Sequence, residues 1–133
     1  AFSNALHDCG GPLERLPFEE AMAHILREYG GGGTDYGAAF ETLEAEYWDT
    51  ITRQTTVLIL GDGRSNNTPP RLDLVRELAD RAKRVVWLCT EAPPRWGTGD
   101  SYMLKYLPFC THVSHVATVT DLERAVDEVL EAY

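Results

Sequence analysis

Two glycine-framed oxygen donors carry the chemistry this chain can do. Gly30-Gly31-Gly32-Gly33-Thr34-Asp35 sets a hydroxyl, Thr34, at the mouth of a helix. Leu60-Gly61-Asp62-Gly63 sets a carboxylate, Asp62, on the loop leaving an apolar strand. Mg²⁺ is a hard cation that takes a few oxygen ligands in octahedral geometry and keeps several waters. Thr34 and Asp62 are therefore read as ligands of Mg²⁺, with Mn²⁺ as a substitute. Each feature also has a plain structural reading. The glycine run stops the preceding helix, and a carboxylate between glycines bonds its own turn. No Gly-Lys-Ser/Thr is present, which excludes a P-loop, and the run follows a helix, which excludes a dinucleotide fingerprint.

Other reactive side chains give less. Asp35 and Asp100 are the nearest bases to a Thr34/Asp62 site, and no nucleophile with a partner accompanies them. The chain is therefore read as a non-enzyme. A Mg²⁺-dependent hydrolase using Asp62, with the glycine run cradling an anion, stands as the alternative. Cys89 ends a strand without an elbow motif and reads as a small core residue. His112 and His115 are three apart on a strand, which points them to opposite faces and away from a shared ion. Ser65, Asn66 and Asn67 read as turn formers. Trp96, followed by Gly97-Thr98-Gly99-Asp100, lies in a long loop. The Trp96 to Ser101 stretch, Asp100 included, is expected to sit on the same edge as Asp62 and to touch a partner protein, since rigid aromatics dominate binding hot spots; Asp35 is also read as partner-binding. A Trp packed under its own loop is the other reading.

The elements that hold these residues follow from periodicity. Phe2, Asn4 and Leu6 alternate as a short strand, and Cys9 to Pro12 reads as a turn. Phe18, Ala21, Met22, Ile25, Leu26 and Tyr29 recur at helical spacing after Pro17. Tyr36, Ala39, Phe40, Leu43 and Tyr47 form the face of a second helix. Thr56 to Leu60 and Val85 to Leu88 are unbroken apolar runs, as expected of adjacent parallel strands buried on both faces. Between them Pro69-Pro70 leads into a third helix with Val75, Leu78, Ala79 and Ala82 inward. Thr90 to Pro108 reads as irregular, and Val113 to Val119 as a last strand. Thr120-Asp121-Leu122-Glu123 reads as a capping box opening a final helix. Strands alternating with helices give one α/β domain over residues 1–133: a mostly parallel, doubly wound, Rossmann-like sheet with helices on both faces. Ligands of such folds bind outside the carboxyl ends of the strands, where Asp62 falls.

The chain has 133 residues, 44% of them hydrophobic and 25% charged, with a formal net charge of −9. That charge argues against nucleic acid, which needs a clustered basic surface. Arg64, Arg71, Arg76, Arg81, Lys83 and Arg84 do gather, but Asp73, Glu77 and Asp80 interleave with them, and the region reads as a solvated helix face. Three cysteines without CxxC spacing favour free thiols and a reducing compartment, hence a cytoplasmic protein. No apolar run is long enough to span a bilayer.

The order of these pieces resembles the von Willebrand factor A (VWA) domain, within it the bacterial CoxE-like branch. Gly32-Gly33-Thr34 is similar to the second element of that family's metal-ion-dependent adhesion site. Leu60-Gly61-Asp62-Gly63 is similar to the third, with Gly61 where Ser or Thr is usual. Val86-Trp87-Leu88 looks like the family's Trp-Leu-Asn-Pro segment, with Cys89-Thr90 in place of Asn-Pro. Trp96 to Ser101 and Tyr106-Leu107-Pro108 resemble stretches of CoxE-like members. The family's first metal motif, Asp-x-Ser-x-Ser, is missing, so the chain is expected to be a C-terminal fragment lacking the first strand. The resemblance implies a protein-interaction module in which a partner's carboxylate completes the Mg²⁺ or Mn²⁺ site. It also implies a MoxR-type AAA+ ATPase as partner, in metalloenzyme maturation or complex assembly. A metal-independent scaffold of the same fold is the further alternative.

Overall fold

The computed structural model describes residues 1–31 and 33–132; Gly32, one of the glycines read above, lies outside them. The chain divides into two compact units, Ala1–Trp48 with Ser65–Arg71, and Asp49–Arg64 with Leu72–Tyr133.

The first unit is helical. Helix α1 spans Gly10–Arg15, α2 spans Phe18–Tyr29 and α3 spans Tyr36–Thr42. Helix α2 buries Ala21 and Ile25, carries Glu19 and Glu20 in its first turn and Arg27 in its last, as its macrodipole favours. Gly30 closes it: its N–H bonds the Leu26 carbonyl, and a Cβ there would lie 2.4 Å from that oxygen. Helix α3 buries Tyr36, Gly37, Ala39 and Phe40 and runs on into a π turn over Leu43–Tyr47. Gly37 is required by packing, since a Cβ would stand 2.0 Å from the Pro69 carbonyl oxygen. Phe2 packs on Tyr36 with ring centroids 5.0 Å apart.

The second unit holds the sheet. Strand β1 is Thr56–Gly61, β2 is Arg84–Cys89 and β3 is His112–His115, all parallel, in the order β1-β2-β3. Register pairs Thr56 with Arg84 and Val86 with His112. Helix α4 (Leu72–Arg81) joins β1 to β2, the short α5 (Met103–Tyr106) lies between β2 and β3, and α6 (Val119–Glu131) follows β3. Strand β2 is buried on both faces. Val86 and Leu88 meet Val116 and Ala125, with Leu122 and Val129 of α6 packed against them. On the opposite face Trp87 stacks on Tyr106 at 4.7 Å. Helices thus cover both faces of a parallel sheet, the α/β architecture that the alternating pattern predicts.

Several local expectations are corrected. Residues 1–6 form an isolated Phe2–Leu6 bridge and no strand, with Ala1 N and O both engaged by His7. The Cys9–Pro12 turn opens into α1. The stretch Thr90–Pro108 contains α5 and two 3₁₀ turns. Strand β3 stops at His115, and the cap of α6 is Thr118, whose Oγ1 accepts from Asp121 N while Asp121 Oδ2 accepts from Thr118 N. The capping box therefore begins two residues earlier than Thr120. Strand β1 is half-buried on alternate residues and exposed on the others. Leu58 and Leu60 are 46% and 48% exposed, because β1 is an edge strand among the described residues.

Candidate functional site

Thr34 lies in the first unit and Asp62 in the second. Thr34 precedes α3, and its carbonyl accepts from Asn66 Nδ2 at 2.8 Å. Asp35 is the N-cap of α3, its Oδ1 accepting from Ala38 N at 2.9 Å, so this carboxylate has a structural task. The Ser65–Thr68 turn behind Asn66 is built by left-handed Asn66 (φ 50°) and Asn67 (φ 61°). Ser65 Oγ accepts from Asn67 N. Asparagine tolerates that region better than most residues, so these residues are turn formers and Asn66 is also a hydrogen-bonding partner.

In the second unit the carboxyl edge of the sheet gathers the loops that follow β1 and β2. Asp62 leaves β1, and its Oδ1 accepts from Arg64 N at 2.9 Å in an Asx turn. Gly63 has φ 74°, and a Cβ there would fall 2.4 Å from Met103 Sδ. Trp87 Nε1 donates to the Gly61 carbonyl at 3.1 Å, tying the start of this loop to the core. Cys89 is fully buried at the end of β2, and burial pushes its thiol pKa up. That is the opposite of what a nucleophilic thiolate needs.

Arg64 organises the edge. Its Nε and Nη2 donate to Glu91 Oε1 and Oε2 at 2.7 and 2.8 Å, a bidentate pair. Its Nη1 donates to Asp100 Oδ1 and to the Thr98 carbonyl, both at 3.0 Å. The guanidinium is 19% exposed. Its charge and hydrogen bonds hold Glu91 below the usual carboxylate range, and the two carboxylates hold Arg64 protonated. Trp96 Nε1 donates to the Glu91 carbonyl at 2.8 Å, and the half-buried ring closes its own loop. An Arg64–Ser101 bridge and a Tyr102 N bond to the Gly63 carbonyl complete the join.

The second unit thus holds Asp62, Trp96 and Asp100 near one edge of its sheet, together with Arg64, Glu91 and Thr98. Arg64 is corrected from a solvated helix face to a loop clasp, and Arg71 sits in the first unit paired with Glu41. The pairing was hidden because Arg64 is 27 and 36 residues from its carboxylates. Its one local signal is its place at a strand end beside Asp62. His112 and His115 are both exposed, and His112 Nε2 lies 2.7 Å from Ser114 Oγ.

Among the described residues, no group of three or more His, Cys, Asp or Glu side chains could hold a metal ion. No described helix is long and apolar enough to cross a membrane. The described cysteines are free.

Comparison with curated proteins and with solved structures returned no match. The family model described as VWA domain containing CoxE-like protein matches residues 1–126. The strand order, the glycine-framed Asp62 and the Trp87 core fall inside that match, and the chain belongs to the CoxE-like VWA domain family.

Proposed function

We propose that this chain is a protein-interaction module that meets its partner at the carboxyl edge of the sheet, and that it makes and breaks no covalent bond. Family membership carries the interaction reading. Asp62, on the loop leaving β1, is the residue proposed to engage a divalent cation, with Thr34 as the second ligand read from the sequence. Both are hard oxygen donors, which suits Mg²⁺ or Mn²⁺ in kind. Glu91 and Asp100 share Arg64, and Glu91 also lies 3.7 Å from Arg95, so these two carboxylates are offset by two cations and add little to the pull on a metal ion. One carboxylate charge holds such an ion weakly. A carboxylate from the partner would supply the missing charge, so ion and partner would bind together. The partner proposed is a MoxR-type AAA+ ATPase, in metalloenzyme maturation or complex assembly.

A metal-independent scaffold is the second reading, and one observation favours it. The guanidinium of Arg64 already sits between Glu91 and Asp100 as a built-in cation. Calorimetric titration with Mg²⁺ and Mn²⁺ separates the two readings. The metal reading predicts weak binding that Asp62→Ala abolishes. Equal, negligible heats from wild type and Asp62→Ala leave the scaffold. Metal-dependent turnover of a generic phosphoester by the wild type would return the hydrolase.

A further inference from the structure

Helix α2 carries a second apolar ridge beside the Ala21/Ile25 stripe that it buries. Phe18 is 73% exposed and Leu26 64% exposed, with half-buried Met22 between them. Spacing of i, i+4, i+8 places the three on one line along the helix. Isolated exposed apolar residues are ordinary, but a contiguous row marks a contact surface. Leu13 of α1 and Leu16, which caps it, are 49% and 39% exposed.

The ridge is self-complementary. With Met22 on a twofold axis, an antiparallel copy sets Phe18 against Leu26, Met22 against Met22, and Leu26 against Phe18. Taking the helical rotation per residue, Glu19 and Arg27 both fall on the Leu26 side of the ridge, at opposite ends. The same twofold therefore brings Glu19 of each copy toward Arg27 of the other, so the pairing satisfies charge twice. The Arg27 side chain is 67% exposed, and its contacts within the helix are long ones, 3.5 Å to His24 Nδ1 and 4.0 Å to Glu28, which a closer carboxylate can displace.

We propose that α2 is a self-docking surface, on which two copies of this chain pack ridge to ridge in antiparallel fashion. This goes beyond the edge site above and does not depend on it. A helix of 12 residues offers limited area. The contact falls short of the roughly 800 Å² per partner of tight complexes, and a formal charge of −9 on each copy opposes association. The dimer is accordingly weak and concentration-dependent.

Sedimentation equilibrium on the chain, from low to high micromolar concentration, tests the proposal. A monomer–dimer equilibrium is expected, and Leu26→Glu should raise its dissociation constant by about tenfold or more. Leu26 is exposed, so the thermal midpoint should stay in place, which separates lost docking from lost folding. Leu130→Glu, on an equally exposed residue of α6, should leave the equilibrium alone. Glu19→Arg should weaken the dimer, and Glu19→Arg with Arg27→Glu should restore it. Helix-dipole effects alone would make that double variant the worst of the set. A monomer at every concentration, the outcome expected if a foreign helix or a lipid surface is the true occupant, would overturn the proposal. So would a dimer indifferent to Leu26→Glu, one broken by Leu130→Glu, or a double variant that stays monomeric.

Discussion

Removing Arg64 should be felt in two loops at once. Its guanidinium holds Glu91, Asp100 and the Thr98 carbonyl in one place, and the two carboxylates are only 19% and 28% exposed. Arg64→Gln removes the cation from Asp100 and leaves Glu91 only the longer contact with exposed Arg95 at 3.7 Å, an arrangement that costs more than the ion pair itself contributes. We expect the melting midpoint to fall by a few degrees at neutral pH. The pH dependence follows from Glu91, whose folded pKa lies below its unfolded value because Arg64 bonds it. A group shifted in that direction contributes stability above its unfolded pKa, and loses it as pH falls through the folded pKa. Wild type should therefore lose this increment below about pH 4.5, where an unperturbed Glu protonates. Arg64→Gln should show a flatter profile there, and a series of thermal melts between neutral and acid pH checks it. Gly63→Ala addresses the same loop differently. With φ at 74° and Met103 in the way, it should cost about 1–3 kcal/mol by urea titration.

At the scale of elements, the long periodic segments were legible and their ends were not. Apolar residues at helical spacing set α2 within a residue of Phe18–Tyr29, and the runs at Thr56 and Val85 gave adjacent parallel strands. Two boundaries depended on details that periodicity does not carry. Cys9–Pro12 contains helix-breaking residues yet opens α1, because Pro is tolerated in a first turn. Thr118 and Thr120 are two threonines with the same local credentials, and only the reciprocal bonds to Asp121 distinguish the cap. Thr118→Ala should accordingly cost about 1 kcal/mol, while exposed Thr120→Ala should be close to neutral. Chemical denaturation of both variants tests that difference. The Trp96 loop is a further case. Sequence alone left open a partner contact or a ring under its own loop, and the indole bond to the Glu91 carbonyl supports the second for the free chain. Trp96→Ala should lower stability by roughly 1–3 kcal/mol, as truncation of a half-buried aromatic does.

Across the whole molecule, the sequence carried the fold class because alternation of strands and helices has few compact solutions. Exposure of Leu58 and Leu60 was not legible, since it depends on which strand ends at the edge of the sheet. The site was half legible. Asp62 announces itself between glycines at a strand end, whereas the Arg64–Glu91–Asp100 clasp exists only once remote loops meet. An acidic surface would then favour a partner with basic patches around its acidic contact, chiefly through association rate. The central claim, an interaction module that uses Asp62 and a divalent cation, is tested most directly by calorimetric titration of the protein with the proposed partner, a MoxR-type ATPase, in Mg²⁺. Wild type should bind, and both Asp62→Ala and chelation of the metal should weaken binding by about tenfold or more, the worth of one lost charged contact. Binding that is the same in wild type, Asp62→Ala and chelated samples would contradict it, as would no binding in any of them.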